Sequence, residues 1–129
     1  MNQTDSDLSA RIIGAALRVH QELGPGFLES LYEKALCVEL ANVGLNFERQ
    51  LVVPVIYRQQ VIGEHRLDLL IEHEVVVELK TVTGFEPIHF ATLRSYLKAA
   101  KCELGLLLNF AATKLEIKRV GREWHQRSV

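Results

Sequence analysis

Cysteine is nearly absent from this chain of 129 residues: only Cys37 and Cys102 occur, far apart and without metal-ligand spacing. That scarcity excludes a thiolate metal site and fits free thiols in a reducing, cytoplasmic compartment. Aromatic residues make up 7% and are scattered, too few for a platform on which single-stranded bases stack. Charge of one sign is also lacking. A formal net charge of −1 excludes an evenly basic coat for a polyanion and leaves only a local patch for such contact. No apolar run approaches the length that crosses a bilayer, and Met1 to Asp7 is polar and acidic, unlike a secretion signal, so no membrane partner is expected. There is no His-Glu-x-x-His zinc motif, no phosphate-loop glycine pattern and no Gly-x-Ser-x-Gly elbow. The five histidines, His20, His65, His73, His89 and His125, share no ligand spacing. Repeats and low-complexity linkers are missing, and 48% hydrophobic content suffices for one core, so residues 1–129 are expected to form a single domain.

What is present centres on Arg66 to Lys80. Leu67 to Ile71 and Val75 to Leu79 are short runs rich in Val, Leu and Ile, separated by Glu72-His73-Glu74, which predicts two antiparallel strands joined by a tight turn. With His73 at the centre, Leu69 faces Val77 and Asp68 falls opposite Glu78, with alpha carbons about 4.5 to 5.5 Å apart. Strand alternation puts Glu78 and Lys80 on one face. Carboxylates opposed within an apolar strand pair are costly without a compensating partner. A divalent cation suits that role: Mg²⁺ takes one or two carboxylates, keeps waters and completes its shell with phosphate. A nearby lysine would supply charge or orient a nucleophile, and the implied chemistry is phosphodiester hydrolysis.

The remaining chain frames this hairpin. Thr4 with Asp7 gives a capping-box-like start to a helix over Ser6 to Leu23, with Ile12, Ala16, Val19 and Leu23 at helical spacing and Gly24-Pro25-Gly26 as its stop. A second helix carries Leu28, Leu31, Ala35, Leu36, Leu40 and Val43 as its apolar stripe, ending at Gly44. Glu29, Tyr32, Glu33 and Leu36, three or four apart, line a common side of it, and the two glutamates are expected on a solvated face. Glu48 to Tyr57 reads as an edge or bulged strand because it contains Pro54. Arg58 to Gln60 is then a turn, and Gly63 suggests a bend or bulge in Val61 to Ile71. Pro87 opens a third helix reaching about Lys101, with Phe90, Leu93, Leu97 and Ala100 as its core stripe and His89, Thr92 and Tyr96 on a different one. Glu103 to Phe110 is apolar almost throughout, the mark of a strand buried on both faces and paired parallel to an earlier one. A half-exposed edge strand around Leu115 to Val120 and a polar tail through Trp124 to Val129 close the chain. The basic residues of the C-terminal third, from Arg94 to Arg127, read mostly as a solvated face.

The spacing of Asp68, Glu78 and Lys80 resembles the signature of the PD-(D/E)XK nuclease superfamily, although no proline precedes Asp68. Gly26-Phe-Leu-Glu29-Ser-Leu-Tyr32 is further similar to the GxxExxY family within it, as are Val19-His20, Leu23-Gly-Pro-Gly26, Tyr96-Leu97 and Gly105 to Phe110. The resemblance implies a restriction-endonuclease-like α/β fold, a mixed sheet flanked by helices. It also implies Mg²⁺ or Mn²⁺ held by Asp68, Glu78, the Leu79 carbonyl and an acidic residue of the first core helix, matched by Glu29 with Glu33 in reserve. Tyr32, His89 and Tyr96 are accessory candidates. Thr92 departs from the glutamine common in relatives at that position.

The function expected is metal-dependent cleavage of nucleic acid, with DNA the favoured substrate, Asp68, Glu78 and Lys80 catalytic, and a homodimer or partner protein completing recognition. The competing expectation is a catalytically silent module that binds nucleic acid or protein, in which Glu78 and Lys80 form a salt bridge.

Overall fold

The computed structural model describes residues 3–122, with side chains from residue 7. The tail expected through Trp124 to Val129, Arg127 included, lies outside the described residues. Helix α1 runs Gln3–Leu23 and buries Ile12, Ala16 and Val19 as their spacing predicts. The backbone is already helical at Gln3, ahead of the expected start at Ser6, and the side chain of Thr4, the expected cap, lies outside the described residues. Gly24 and Gly26 follow with φ of 68° and 112°, the left-handed conformations that end a helix cheaply only at glycine.

Helix α2 spans Glu29–Asn42 and buries Leu36 and Leu40 as expected, with Ala35 and Val43 packed against the core, but its inward face is rotated towards Tyr32 and Glu33. Tyr32, Glu33, Leu36 and Leu40 are buried, while Leu28 and Leu31 are 72% and 42% exposed. The reason is tertiary: the Tyr32 ring stacks on Phe110 with centroids 4.6 Å apart, and Glu33 pairs with a strand arginine, so those contacts set the rotation of the helix.

Five strands follow: β1 Phe47–Tyr57, β2 Gln60–Ile71 and β3 Val75–Lys80, then helix α3 Pro87–Ala100, β4 Leu104–Asn109 and β5 Glu116–Gly121. They form one sheet in the order β1-β2-β3-β4-β5, with β3 and β4 parallel and the other neighbours antiparallel. The meander, the buried parallel strand and the final edge strand all agree with the sequence reading. Pro54 lies on the edge strand, and the register slips between Val55 and Ile56, across from Gly63. The β2–β3 register pairs Leu69 with Val77 and Ile71 with Val75, around His73 as expected.

Helices lie on both faces. One core joins α1 and α2 to Leu69, Ile71, Val77, Leu79, Leu106 and Leu108; the other joins α3 to Leu67, Leu70, Val76 and Leu107. Gly105 lets α3 approach closely, since a β-carbon there would stand 2.9 Å from Leu93.

The β1–β2 hairpin reverses its faces part way along. Phe47 of β1 and Leu69 and Ile71 of β2 belong to the α1–α2 core, whereas Leu51, Val53 and Leu67 belong to the α3 core. Odd-numbered residues of a regular strand share one face. Both strands therefore break between those residues, at Gln50 and Asp68, the position the ladder skips between Arg49↔Leu69 and Leu51↔Leu67. Gln50 has a φ of 50°, a left-handed conformation that costs a non-glycine residue on the order of 1 kcal/mol or more.

Candidate active site

The second break in the ladder places the carboxylates. Pairing of β2 with β3 stops at Leu69↔Val77, one step before Asp68 and Glu78 would face each other as a ladder pair. Side chains replace the missing backbone bonds: the Asp68 amide donates to Glu78 Oε1 at 3.0 Å, and the Leu79 amide donates to Asp68 Oδ2 at 2.9 Å. The two acids are brought together, as expected, but interlocked through the main chain rather than merely opposed.

Glu78 is 5% exposed, and burial first, then the neighbouring Asp68 charge, pushes its carboxyl well above the ordinary range; the Asp68 amide and Lys80 oppose this incompletely. No salt bridge joins Glu78 to Lys80 among the described residues. Glu29, the first residue of α2, is brought to the same place. Burial and the Asp68 charge raise its carboxyl, while Lys80 and a hydrogen bond from the Thr81 amide lower it. Glu29, Asp68, Glu78 and Lys80 thus surround the C-terminal end of β3. Three acids and one lysine leave negative charge in excess, a donor set that suits a hard cation. Among the described residues no three acidic, histidine or cysteine side chains stand in ready-made ligating geometry.

Two supports hold this end of the sheet. The Tyr32 hydroxyl donates to the Gly24 carbonyl and accepts the Phe27 amide at 3.1 Å, clamping the loop that delivers Glu29. Tyr32 is fully buried and its hydroxyl is committed to that loop. Asn109, buried at the end of β4, donates to the Val82 carbonyl at 2.9 Å and to Glu116 Oε1 at 2.6 Å, and accepts the amides of Val82 and Ala111 at 3.1 Å. It fixes the loop that leaves Lys80.

Glu33 differs from expectation. It is buried, not solvated, and both its oxygens are engaged: Oε2 takes Arg49 Nη2 at 2.9 Å and Nε at 3.0 Å, and Oε1 takes Gln50 Nε2 at 2.9 Å. With its charge already neutralised by a guanidinium, this carboxylate is not a spare metal ligand. His89 accepts the Glu86 amide on Nδ1 at 2.9 Å within a capping box, which ties its ring to the start of α3. Tyr96 packs on His65 with centroids 4.5 Å apart, and burial, followed by the charges of Glu78 and Asp68, raises its phenol above the ordinary value. His20 Nε2 reaches the Ala112 carbonyl at 2.9 Å, consistent with its structural reading. The sequence reading missed Arg49, Gln50 and the clamp made by Asn109. The first two had a signal of the same kind as Asp68, polar groups interrupting an apolar strand.

A cleft of about 510 Å³ lies elsewhere, between α1 and α2 near Arg18, Leu23, Ala35 and Val38. Its lining carries two acids, Glu22 and Glu39, beside Arg18.

Comparison with known proteins agrees with this placement of elements. No curated protein matches the chain. Among solved structures, the crystal structure of SSO0001 superposes with a TM-score of 0.57 at 18% identity, over 74% of this chain and 50% of that one, which is a likeness of fold. The chain spans about half the length of that protein. Residues 6–120 match the model of the PD-(D/E)XK nuclease superfamily, and the chain belongs to that superfamily.

Proposed function

We propose that this member of the PD-(D/E)XK nuclease superfamily is a divalent-metal-dependent nuclease that hydrolyses phosphodiester bonds, with DNA as its favoured substrate. The observation that carries the reading is the gathering of Glu29, Asp68, Glu78 and Lys80 at one strand end, with no salt bridge between Glu78 and Lys80. Asp68 and Glu78 would hold Mg²⁺ or Mn²⁺, with Glu29 completing the shell. The Leu79 carbonyl is a further donor, since in a strand it points to the same edge as its amide, which meets Asp68. A cation held there would supply Lewis acidity at the phosphoryl group and would lower the pKa of a bound water. Lys80 orients that water or meets charge building on the phosphate, and Tyr96 borders the cluster.

The narrower GxxExxY membership is part of the proposal. It is supported by the division of labour in its motif: Gly26 supplies the left-handed turn, Glu29 the carboxylate and Tyr32 the clamp. We read residues 1–129 as one such domain, in a reducing cytoplasm consistent with the free thiols of Cys37 and Cys102. No described helix is long and apolar enough to cross a membrane. A second copy or a partner protein would supply recognition surface that so small a domain lacks.

A second reading has one observation in its favour. The interlock of Asp68 and Glu78 with backbone amides also suits a silent module in which the acids only shape the strands. Calorimetric titration with Mg²⁺ and Mn²⁺, run beside cleavage of plasmid DNA and of RNA, separates the two. Metal binding and cleavage that Asp68→Ala and Glu78→Ala both abolish support the enzyme; a native protein that neither binds nor cleaves sinks it.

A further inference from the structure

Arg49 and Gln50 are adjacent on β1, yet both side chains bond the same carboxylate, that of Glu33. Neighbours in a regular strand point to opposite faces and cannot do this. The left-handed φ of 50° at Gln50 turns its side chain round. Its amide then reaches Glu33 Oε1 at 2.9 Å and Asp68 Oδ1 at 3.4 Å, so one NH₂ group spans an acid of α2 and an acid of β2. The other Asp68 oxygen takes the Leu79 amide, which leaves the carboxylate held from both sides.

We propose that Gln50 is a positioning residue for Asp68: the break in β1 exists to aim a neutral donor at the one acid that lies across the ladder from it. The inference rests on Asp68 being a metal ligand, as read above, and it assigns no contact of Gln50 with metal or substrate. A neutral amide suits the place. It satisfies two carboxylates without adding a charge that would compete with a cation, whereas Arg49 neutralises Glu33 alone. The strained backbone persists because Glu33 and Asp68 fix the side chain and Arg66 Nη1 approaches the Gln50 carbonyl at 3.4 Å.

The test uses Gln50→Gly, which keeps the left-handed backbone without strain, and Gln50→Met, which keeps the length and removes the donor. In metal-free protein, amide exchange at Leu79 is expected to accelerate about tenfold in both variants, with Leu106 in β4 unchanged. The Mn²⁺ dissociation constant is expected to rise about 10-fold or more, as for loss of other groups that hold a ligand in place. Unchanged exchange at Leu79, or equal acceleration at Leu106 in both variants, overturns the proposal. If the native protein binds no Mn²⁺, the nuclease reading fails separately, and exchange at Leu79 still decides whether Gln50 positions Asp68.

Discussion

Asp68 and Glu78 hold each other through the main chain: Glu78 accepts the Asp68 amide at 3.0 Å, and Asp68 accepts the amide of Leu79, the residue after Glu78, at 2.9 Å. Two strands that have ceased to pair are thereby kept in register, and both acids are fixed with little rotamer freedom. The arrangement stores like charge close together, which is stable only with a proton or a cation present.

The first prediction concerns pH. The Glu78 carboxyl is pushed up to about 8 in the fold from an ordinary 4.5, so the folded state binds the proton more tightly than the unfolded chain. That contribution to stability is complete below 4.5 and is lost as pH rises towards 8, and Glu29 shifts in the same direction. Thermal unfolding in chelator should show a midpoint lower at pH 8 than at pH 5 by on the order of 5 °C. Glu78→Gln should flatten most of this slope, and excess Mn²⁺ should reverse it. A slope that survives Glu78→Gln unchanged would falsify the assignment of the charge to Glu78.

Lys80 should separate binding from chemistry. Lys80→Met removes a cation from beside three acids, so Mn²⁺ affinity measured by calorimetry should hold or improve. The cleavage rate should fall by roughly 10²-fold or more, the range for losing a group that acts on the reacting atoms. Loss of metal affinity would instead make Lys80 a structural part of the cluster.

Tyr32 should act at a distance. Tyr32→Phe keeps the stack on Phe110 but frees the Gly24 carbonyl and the Phe27 amide, at a cost of roughly 1–3 kcal/mol. Urea unfolding measures that loss. Release of the loop should also weaken the contribution of Glu29, so Glu29→Gln should cost less metal affinity in the Tyr32→Phe background than alone. Additive effects on affinity would show that the two residues are uncoupled.

Gly105 should be intolerant for reasons of packing alone. Gly105→Ala drives a β-carbon to within 2.9 Å of the Leu93 side chain and should destabilise by roughly 1–3 kcal/mol. Combination with Leu93→Val should recover part of that loss in a double-mutant cycle. If the double variant is no more stable than the sum of the two, the clash with Leu93 is not the cause.

Much of this was legible in the chain because period and punctuation are local. The alternation of Leu67 to Ile71 and Val75 to Leu79 about Glu72-His73-Glu74 gave the hairpin and its register, and the apolar run of Glu103 to Phe110 gave the parallel strand. The charges of Asp68 and Glu78 inside those runs marked the candidate site, where the two acids meet. Helix rotation was less legible: Leu28 and Leu31 look like core, yet they are exposed because Tyr32 and Glu33 found partners on other elements.

The sequence by itself therefore determined the elements, their order and the acids set into an apolar hairpin, since these follow from side-chain periodicity within about ten residues. Only the tertiary structure decided how the acids are held. The left-handed turn at Gln50 carries its side chain to Glu33, 17 positions away, the pairing of Glu33 with Arg49 spans 16 positions, and the clamp of Asn109 on Val82 spans 27. Such bonds depend on where whole strands and helices come to rest, and no local pattern encodes that.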